Sequence, residues 1–186
     1  GIYFIHLMLM GHDAETNKPF EKVHAHNTLD AHFHAGWESR YFSEGRDALN
    51  GKSLWNSSLE IGYDHLSGGV WYGRSSNHQY DEWQYNLALS QEMGGYSFYA
   101  GYTHLIFAKD VESDDEWSTG ISYEGLPFNL ITSLDAYYSM DAKGTFYEWS
   151  NTREFNPQED LDISFSGTFG WNENYITDGH DGLNYF

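Results

Sequence analysis

The chain has no cysteine, only three prolines, only nine Lys and Arg, and no apolar run as long as a membrane helix requires. Without cysteine there is no disulfide framework and no thiolate chemistry. So few prolines leave long strands uninterrupted. Against the nine basic residues stand 28 Asp and Glu, a formal net charge of -19. That balance excludes nucleic-acid binding, which needs positive charge to meet phosphate. What the chain does have is aromatic residues, 18% of the total and far too many for a solvating acidic tail.

The stretch from Leu54 to Ser75 sets the pattern. Trp55, Ser57, Leu59, Ile61 and Tyr63 share one parity, and Asn56, Ser58, Glu60, Gly62 and Asp64 share the other. Residues of one parity line one face of a strand, so one face is mostly apolar and the other polar. Leu66-Ser67-Gly68-Gly69 is the predicted tight turn into a second strand with Val70, Trp71 and Tyr72.

The rest of the chain repeats this unit. The opening IYFIHLMLMG reads as a signal-peptide remnant or an ordinary apolar segment, and residues 11–28 as a polar lead-in. Alternation starts at Leu29, with Leu29, Ala31, Phe33, Ala35, Trp37 and Tyr41 opposite Asp30, His32, His34, Glu38 and Arg40. It returns at Trp83, Tyr85, Leu87 and Leu89, then at Tyr96, Phe98, Ala100 and Tyr102. Trp117, Thr119, Ile121 and Tyr123 follow, then Phe128 to Met140, Thr145 to Arg153, and Leu161, Ile163, Phe165, Gly167, Phe169 and Trp171. Residues 42–52, 75–81, 108–116 and 154–160 read as polar loops. Met93-Gly94-Gly95, Glu124-Gly125-Leu126-Pro127 and Asp141 to Gly144 read as turns, and residues 172–186 as a loop entering another strand.

Many of these strands run to about 9–13 residues, against five or six in ordinary globular sheets. About 9–11 tilted residues cross a bilayer, and long connections mostly alternate with short ones. Trp55, Trp83, Trp117 and Trp171 sit near strand ends, where interfacial girdles lie. The predicted fold is all-β, an antiparallel up-and-down transmembrane β-barrel with about nine strands present. An odd count does not close a bacterial barrel, so further C-terminal strands are expected beyond Phe186. Residues 1–28 are then a signal-peptide remnant or lead-in, and residues 29–186 an incomplete barrel domain.

From about Ala35 to Phe186 the stretches GWESRYFSEGRD, GYDHLSGGVWYGRS, FYAGYTHLIF, DAYYSMD and YITDGHDGLNYF resemble a family of uncharacterised, porin-like bacterial outer-membrane β-barrels. The resemblance implies location in the bacterial outer membrane and further chain after Phe186. It carries over no activity, no cofactor and no site residue.

Four constellations are candidates for chemistry. His24, His26, His32 and His34 all have even numbers, so each pair shares a strand face, and a turn at Asn27 to Asp30 would let the pairs converge. Imidazole suits zinc, copper or nickel, but the spacing fits the ligand rules loosely, and polar lumen or periplasmic residues account for it better. His65-Leu66-Ser67 is similar to the His-x-Ser arrangement of outer-membrane phospholipases and lipid A deacylases, but it lies in a short turn without their flanking Asn and Gly pattern. The carboxylates Glu38, Glu60, Asp64, Glu82, Glu116, Glu124, Asp135, Glu148 and Asp162 mostly take the polar parity. Two of them could serve a glycosidase, though none stands out as a pair. A hydrated acidic lumen with Arg40 and Arg153 as partners explains them more simply. The run Asp110 to Glu116 lacks the glycine-centred spacing of a calcium loop.

The expectation is therefore a passive channel or structural membrane barrel, not an enzyme, with no catalytic, cofactor-binding or metal residues assigned. Its partners are the lipid bilayer, the outer-membrane assembly machinery and small ions or solutes, and not nucleic acid. A soluble carbohydrate-binding β-sandwich and an outer-membrane lipid hydrolase are the alternatives. The barrel makes a specific demand: Trp55/Leu59/Ile61, Trp83/Leu87/Leu89 and Leu161/Ile163/Phe165 face outward, and Glu60, Asn86 and Ser164 inward.

Overall fold

A computed structural model describes residues 29–43, 46–158, 161–175 and 182–185. The strands are β1 (Leu29–Glu38), β2 (Phe42–Ser43), β3 (Arg46–Asp47), β4 (Leu54–Tyr63), β5 (Leu66–Ser75), β6 (Asp81–Met93), β7 (Tyr96–Phe107), β8 (Glu112–Leu126), β9 (Leu130–Ser139), β10 (Gly144–Gln158), β11 (Leu161–Glu173) and β12 (Gly182–Tyr185). A single 3-10 turn, Pro127–Asn129, joins β8 to β9. Ten strands form one antiparallel sheet in the order β1-β4-β5-β6-β7-β8-β9-β10-β11-β12, and β2 and β3 make a small separate hairpin. Within this sheet each strand pairs with the next of its strands along the chain, with the β2–β3 hairpin inserted between β1 and β4, so the sheet is up-and-down. Among the described residues β1 and β12 are its two edges and do not pair with each other.

One register runs through the sheet and fixes two faces. Glu60 pairs with Gly69, Gly69 with Asn86, Asn86 with Thr103 and Thr103 with Glu116. Leu59 pairs with Val70, Val70 with Tyr85, Tyr85 with His104 and His104 with Asp115. Because side chains alternate, every strand then shows one parity to the concave, covered side and the other to the outside. We call these sides inward and outward.

The distribution of polarity is inverted relative to a water-soluble domain. Among the described residues the buried ones include Ser75, Glu82, Thr103, Glu116, Ser118, Ser139, Thr152 and Asn172, whereas the buried hydrophobic ones are Leu49, Leu54, Ala88 and Phe146. Phe33 is 74% exposed, Trp55 62%, Leu89 60% and Phe165 66%. Trp55, Leu59, Ile61, Trp83, Leu87, Leu89 and Phe165 are all exposed as the outward demand requires, and Glu60 and Asn86 lie on the opposite, half-covered face. The side chains of Leu161, Ile163 and Ser164 lie outside the described residues.

The structure corrects several boundaries. The β4–β5 turn is Asp64-His65, not Leu66 to Gly69, and Asp64 takes a left-handed φ of 55°. Aspartate tolerates that conformation, so the turn needs no glycine, and Gly68 and Gly69 stay in the strand opposite Ile61 and Glu60. The predicted acidic loop 108–116 is only residues 108–111. Glu112 to Glu116 belong to β8, where the ladder with His104 to Phe107 overrides their low strand preference. The turn expected at residues 124–127 falls at Pro127–Asn129, and the loop expected at residues 154–160 is strand as far as Gln158. The sheet holds ten strands rather than about nine, because β12 pairs with β11 through Gly182 to Tyr185.

Inward aromatic rings lie over glycines of neighbouring strands. A Cβ at Gly170 would stand 2.5 Å from the Phe146 ring, and one at Gly120 would stand 2.1 Å from Asp135 Oδ1 and 2.4 Å from Tyr99. Small residues here make room for large neighbours. Gly170→Val should therefore displace the buried Phe146 and destabilise the fold by about 1–3 kcal/mol. Urea titration followed by tryptophan fluorescence measures this, and an unchanged midpoint would show that the ring is not confined there.

Candidate functional site

The inward face is the candidate site, because it gathers the polar and titratable side chains. Alternation places Glu38, Asn56 and Glu60 on β1 and β4, Glu82, Gln84 and Asn86 on β6, and Tyr99 and Thr103 on β7. Glu116 and Ser118 of β8, Asp135 and Tyr137 of β9, and Glu148 of β10 continue it. Cross-strand hydrogen bonds tie these rows together. Asn56 Nδ2 donates to Glu38 Oε1 at 2.7 Å, and Thr103 Oγ1 donates to Asn86 Oδ1 at 2.8 Å. Ser133 and Ser150 share a hydrogen bond of 2.6 Å, and Thr152 and Ser166 one of 3.0 Å. Asp135 and Glu148 stand directly opposite in the β9–β10 register. Among the described residues, the inward parity of the ten-stranded sheet carries no Lys and no Arg.

The two ends of the sheet differ. Turns at residues 64–65, 94–95 and 127–129 lie at one end, and connections 39–53, 76–80, 108–111 and 140–143 at the other. Inward rings gather at the long-connection end. Tyr41 stacks on Trp71 with ring centroids 6.3 Å apart and meets Tyr80 at 6.1 Å, and Tyr80 meets Phe107 at 6.4 Å. Register puts Trp71 and Phe107 on the inward parity, opposite Gln84 and Glu82. Leu49 and Leu54 are buried, so the β1–β4 connection packs its apolar side chains rather than standing free as a polar loop. Trp71 is the one of the seven tryptophans that faces inward. Its parity with Gly69 and Gly73, opposite Val70 and Tyr72, was the sequence signal for that placement.

At the same end Tyr175, which follows β11, donates its hydroxyl to Glu116 of β8 and packs on Phe146 with ring centroids 5.8 Å apart. This contact joins strands that are not neighbours in the sheet and draws the concave side together. On the outward face, beyond Trp117 on the long-connection side, Asp115 accepts from Tyr102 at 2.6 Å and contacts His104 Nδ1 at 2.8 Å. These two partners, Tyr102 first, hold the Asp115 carboxyl below the usual aspartate range.

Among the described residues the sequence-derived constellations are not brought together at one site. His32 and His34 face inward on β1, opposite Glu60 and Ser58, and His24 and His26 lie outside the described residues. Of the turn expected at Asn27 to Asp30, Leu29 and Asp30 belong to β1 instead, and Asn27 lies outside the described residues. Among the described residues no group of three His, Cys, Asp or Glu could hold a metal ion. His65 sits in the β4–β5 turn and pairs with Asp64 at 3.5 Å, whereas Ser67 is in β5 opposite Ala88. The open hollow of about 400 Å³ beside His65 is lined by Ser90, Gln91 and Tyr99 and not by Ser67. The acidic run divides between faces: Asp114 and Glu116 point inward and Asp115 outward, so they cannot converge on one calcium ion. Arg153, expected as a partner inside, lies on the outward parity of β10 instead, and Arg40 is exposed in the bend after β1.

Comparison of the chain with protein-family models, with curated proteins and with solved structures gives no match. The class it defines is structural: an all-β, ten-stranded, antiparallel up-and-down sheet with an apolar outward face and a polar, acidic inward face.

Removing the Tyr175 hydroxyl tests the closing contact. Hydrogen bonds to charged groups contribute roughly 1.5–3 kcal/mol, so Tyr175→Phe should lower stability by about that amount. A urea midpoint identical to that of the parent chain would mean that the contact does not hold β8 and β11 together.

Proposed function

We propose that this chain is part of a bacterial outer-membrane β-barrel that serves as a passive channel or structural protein, with a hydrated acidic interior. The observation that carries the reading is the inverted polarity: a continuous exposed apolar face outside and a hydrogen-bonded polar face inside. Water penalises such an outward surface, and the hydrocarbon of a bilayer accepts it. Hydrogen-bonded strands also satisfy their backbone groups within lipid, provided the sheet edges are paired.

The outward face is banded as an interfacial protein surface would be. Trp37, Trp55, Trp83, Trp117 and Trp171 lie toward the long connections, and Tyr63, Met93, Tyr96 and Phe128 toward the short turns. Leu59, Ile61, Leu87, Phe98 and Ile121 lie between them. Trp55 to Tyr63 spans roughly 26 Å along β4, and Trp83 to Met93 roughly 33 Å along β6, at about 3.3 Å per residue. Tilted by about 40°, these become roughly 20–25 Å, the height of the apolar band of outer-membrane barrels. Long connections at one end and short turns at the other fit external loops and periplasmic turns. The partners of this reading are the bilayer and the assembly machinery that inserts such barrels. A sugar-binding sandwich would bury these apolar faces between two sheets, whereas here they lie exposed on one.

The full-length protein should fractionate with outer membranes, require detergent, and migrate faster on a gel when unheated. Free solubility in buffer would overturn the membrane reading and make glycan binding the next test. If a pore is open, Glu38, Glu60, Glu82, Glu116, Asp135 and Glu148 on the inward face favour cations. A reversal potential of cation sign in a salt gradient is expected, and anion preference would reject the acidic-lumen account.

A further inference from the structure

We propose that Arg153 binds the phosphate of a lipid headgroup at the short-turn rim of the sheet. The proposal rests on the membrane reading above and adds to it a lipid site with a defined chemistry.

Two arginines lie on the outward parity of the ten-stranded sheet among the described residues, Arg74 and Arg153. Arg74 is placed opposite Asp81, which also accepts from Tyr72 at 3.1 Å. Among the described residues Arg153 has no such acidic neighbour. Across the strands it faces Leu130 and Phe165, and its own strand places Asn151 and Phe155 beside it on the same parity. Its guanidinium carbon lies 4.1 Å from the centroid of the Phe155 ring and 5.6 Å from that of Phe128. Phe155 is braced in turn by the edge of Phe165, with centroids 5.9 Å apart.

Contact with aromatic rings attracts a guanidinium but does not replace hydrogen-bond acceptors for its fork of five N–H donors. An anion with paired oxygens satisfies such a fork, and phosphate does so in bidentate fashion. A cation on an apolar face is costly unless it reaches the interface, where its head finds water or anions. Arg153 is at that level, beside the 127–129 turn and at the border of the apolar band, where phospholipid phosphates lie.

The turn itself is built to present the aromatic ring. Phe128 has φ 68° and ψ 26°, a left-handed conformation that a bulky aromatic residue rarely adopts, and Asn129 follows with φ 54°. Backbone strain of this kind persists where surrounding structure enforces it. Its result is that Phe128, 77% exposed, projects from the turn against the guanidinium. Cation, neighbouring rings and strained turn come together beside Leu130 and Phe165 on the outward face.

The test uses the full-length protein in zwitterionic detergent, with native mass spectrometry after addition of phosphatidylglycerol, diacylglycerol or inorganic phosphate. Phosphatidylglycerol should be retained and diacylglycerol, which lacks the phosphate, should not. Arg153→Gln should weaken phosphatidylglycerol retention about tenfold, the loss expected for a charge-assisted hydrogen bond. Arg153→Lys should keep part of it, since a point charge replaces the fork. Lys143→Gln, in the connection at the opposite rim, should change nothing. Should Arg153→Gln lose the unheated gel shift, Phe155→Leu, which removes the closer ring, must lower retention in its place. Equal retention by Arg153→Gln and the parent, or by diacylglycerol and phosphatidylglycerol, would overturn the site. Displacement of the lipid by equimolar inorganic phosphate would overturn the lipid source in favour of a free anion. Solubility without detergent would instead remove the membrane reading on which the site depends, so the two failures are distinguishable.

Discussion

The structure depends on one continuous backbone register. Each of the ten strands pairs antiparallel with its chain neighbour, and irregularities occur only between Tyr123 and Leu126 in the β8–β9 pairing and between Phe155 and Gln158 in the β10–β11 pairing. Because side chains alternate with a period of two, a slip of one residue would turn the outward aromatic and aliphatic residues of a strand inward and its carboxylates outward. The chain resists such a slip with features on both faces. Trp37 opposite Trp55 and Trp149 beside Phe169 lock the outside, with centroids 6.4 Å and 5.7 Å apart. Asn56 on Glu38 and Thr103 on Asn86 lock the inside.

The energetic consequence is unlike that of a soluble domain. Among the described residues the buried apolar side chains are few, Leu49, Leu54, Ala88 and Phe146, and form no large apolar core. The backbone ladder and the inward hydrogen-bonded rows can hold the strands together, but they leave the outward surface unpaid in water. In the membrane reading proposed above, an apolar solvent on that side would supply the missing stabilisation. The same requirement explains the border of the apolar band: tryptophan and tyrosine, apolar in body and polar at one edge, suit the boundary between the two environments. On the proposed membrane reading, the Phe128 and Phe155 rings beside Arg153 would shield a cation from hydrocarbon.

Much of this was legible in the sequence because a period of two is a strong local signal. The faces of Trp55/Leu59/Ile61 and Trp83/Leu87/Leu89 could be assigned by counting. Turn positions were less legible. Glycine pairs attracted the β4–β5 turn to Gly68-Gly69, although Asp64 can adopt the left-handed conformation itself. Charge misled in the same way at Glu112 to Glu116, where strand pairing prevailed over a run of carboxylates. Arg153 shares the parity of Tyr147 and Trp149, but ending the strand at Arg153 and reading residues 154–160 as a loop hid its place beside Phe155. Contacts between distant strands, such as Tyr175 with Glu116, have no signature in a local pattern.

Absence of cysteine makes the most direct measurement a clean one. Single cysteines would be placed at Leu59→Cys and Leu87→Cys on the outward parity, and at Ser58→Cys and Asn86→Cys on the inward parity, in protein reconstituted into lipid vesicles. The outward pair should react with a lipid-soluble maleimide and resist a charged water-soluble one, and the inward pair should show the reverse. Equal reaction of all four positions with the water-soluble reagent would contradict the claim that the outward face meets lipid.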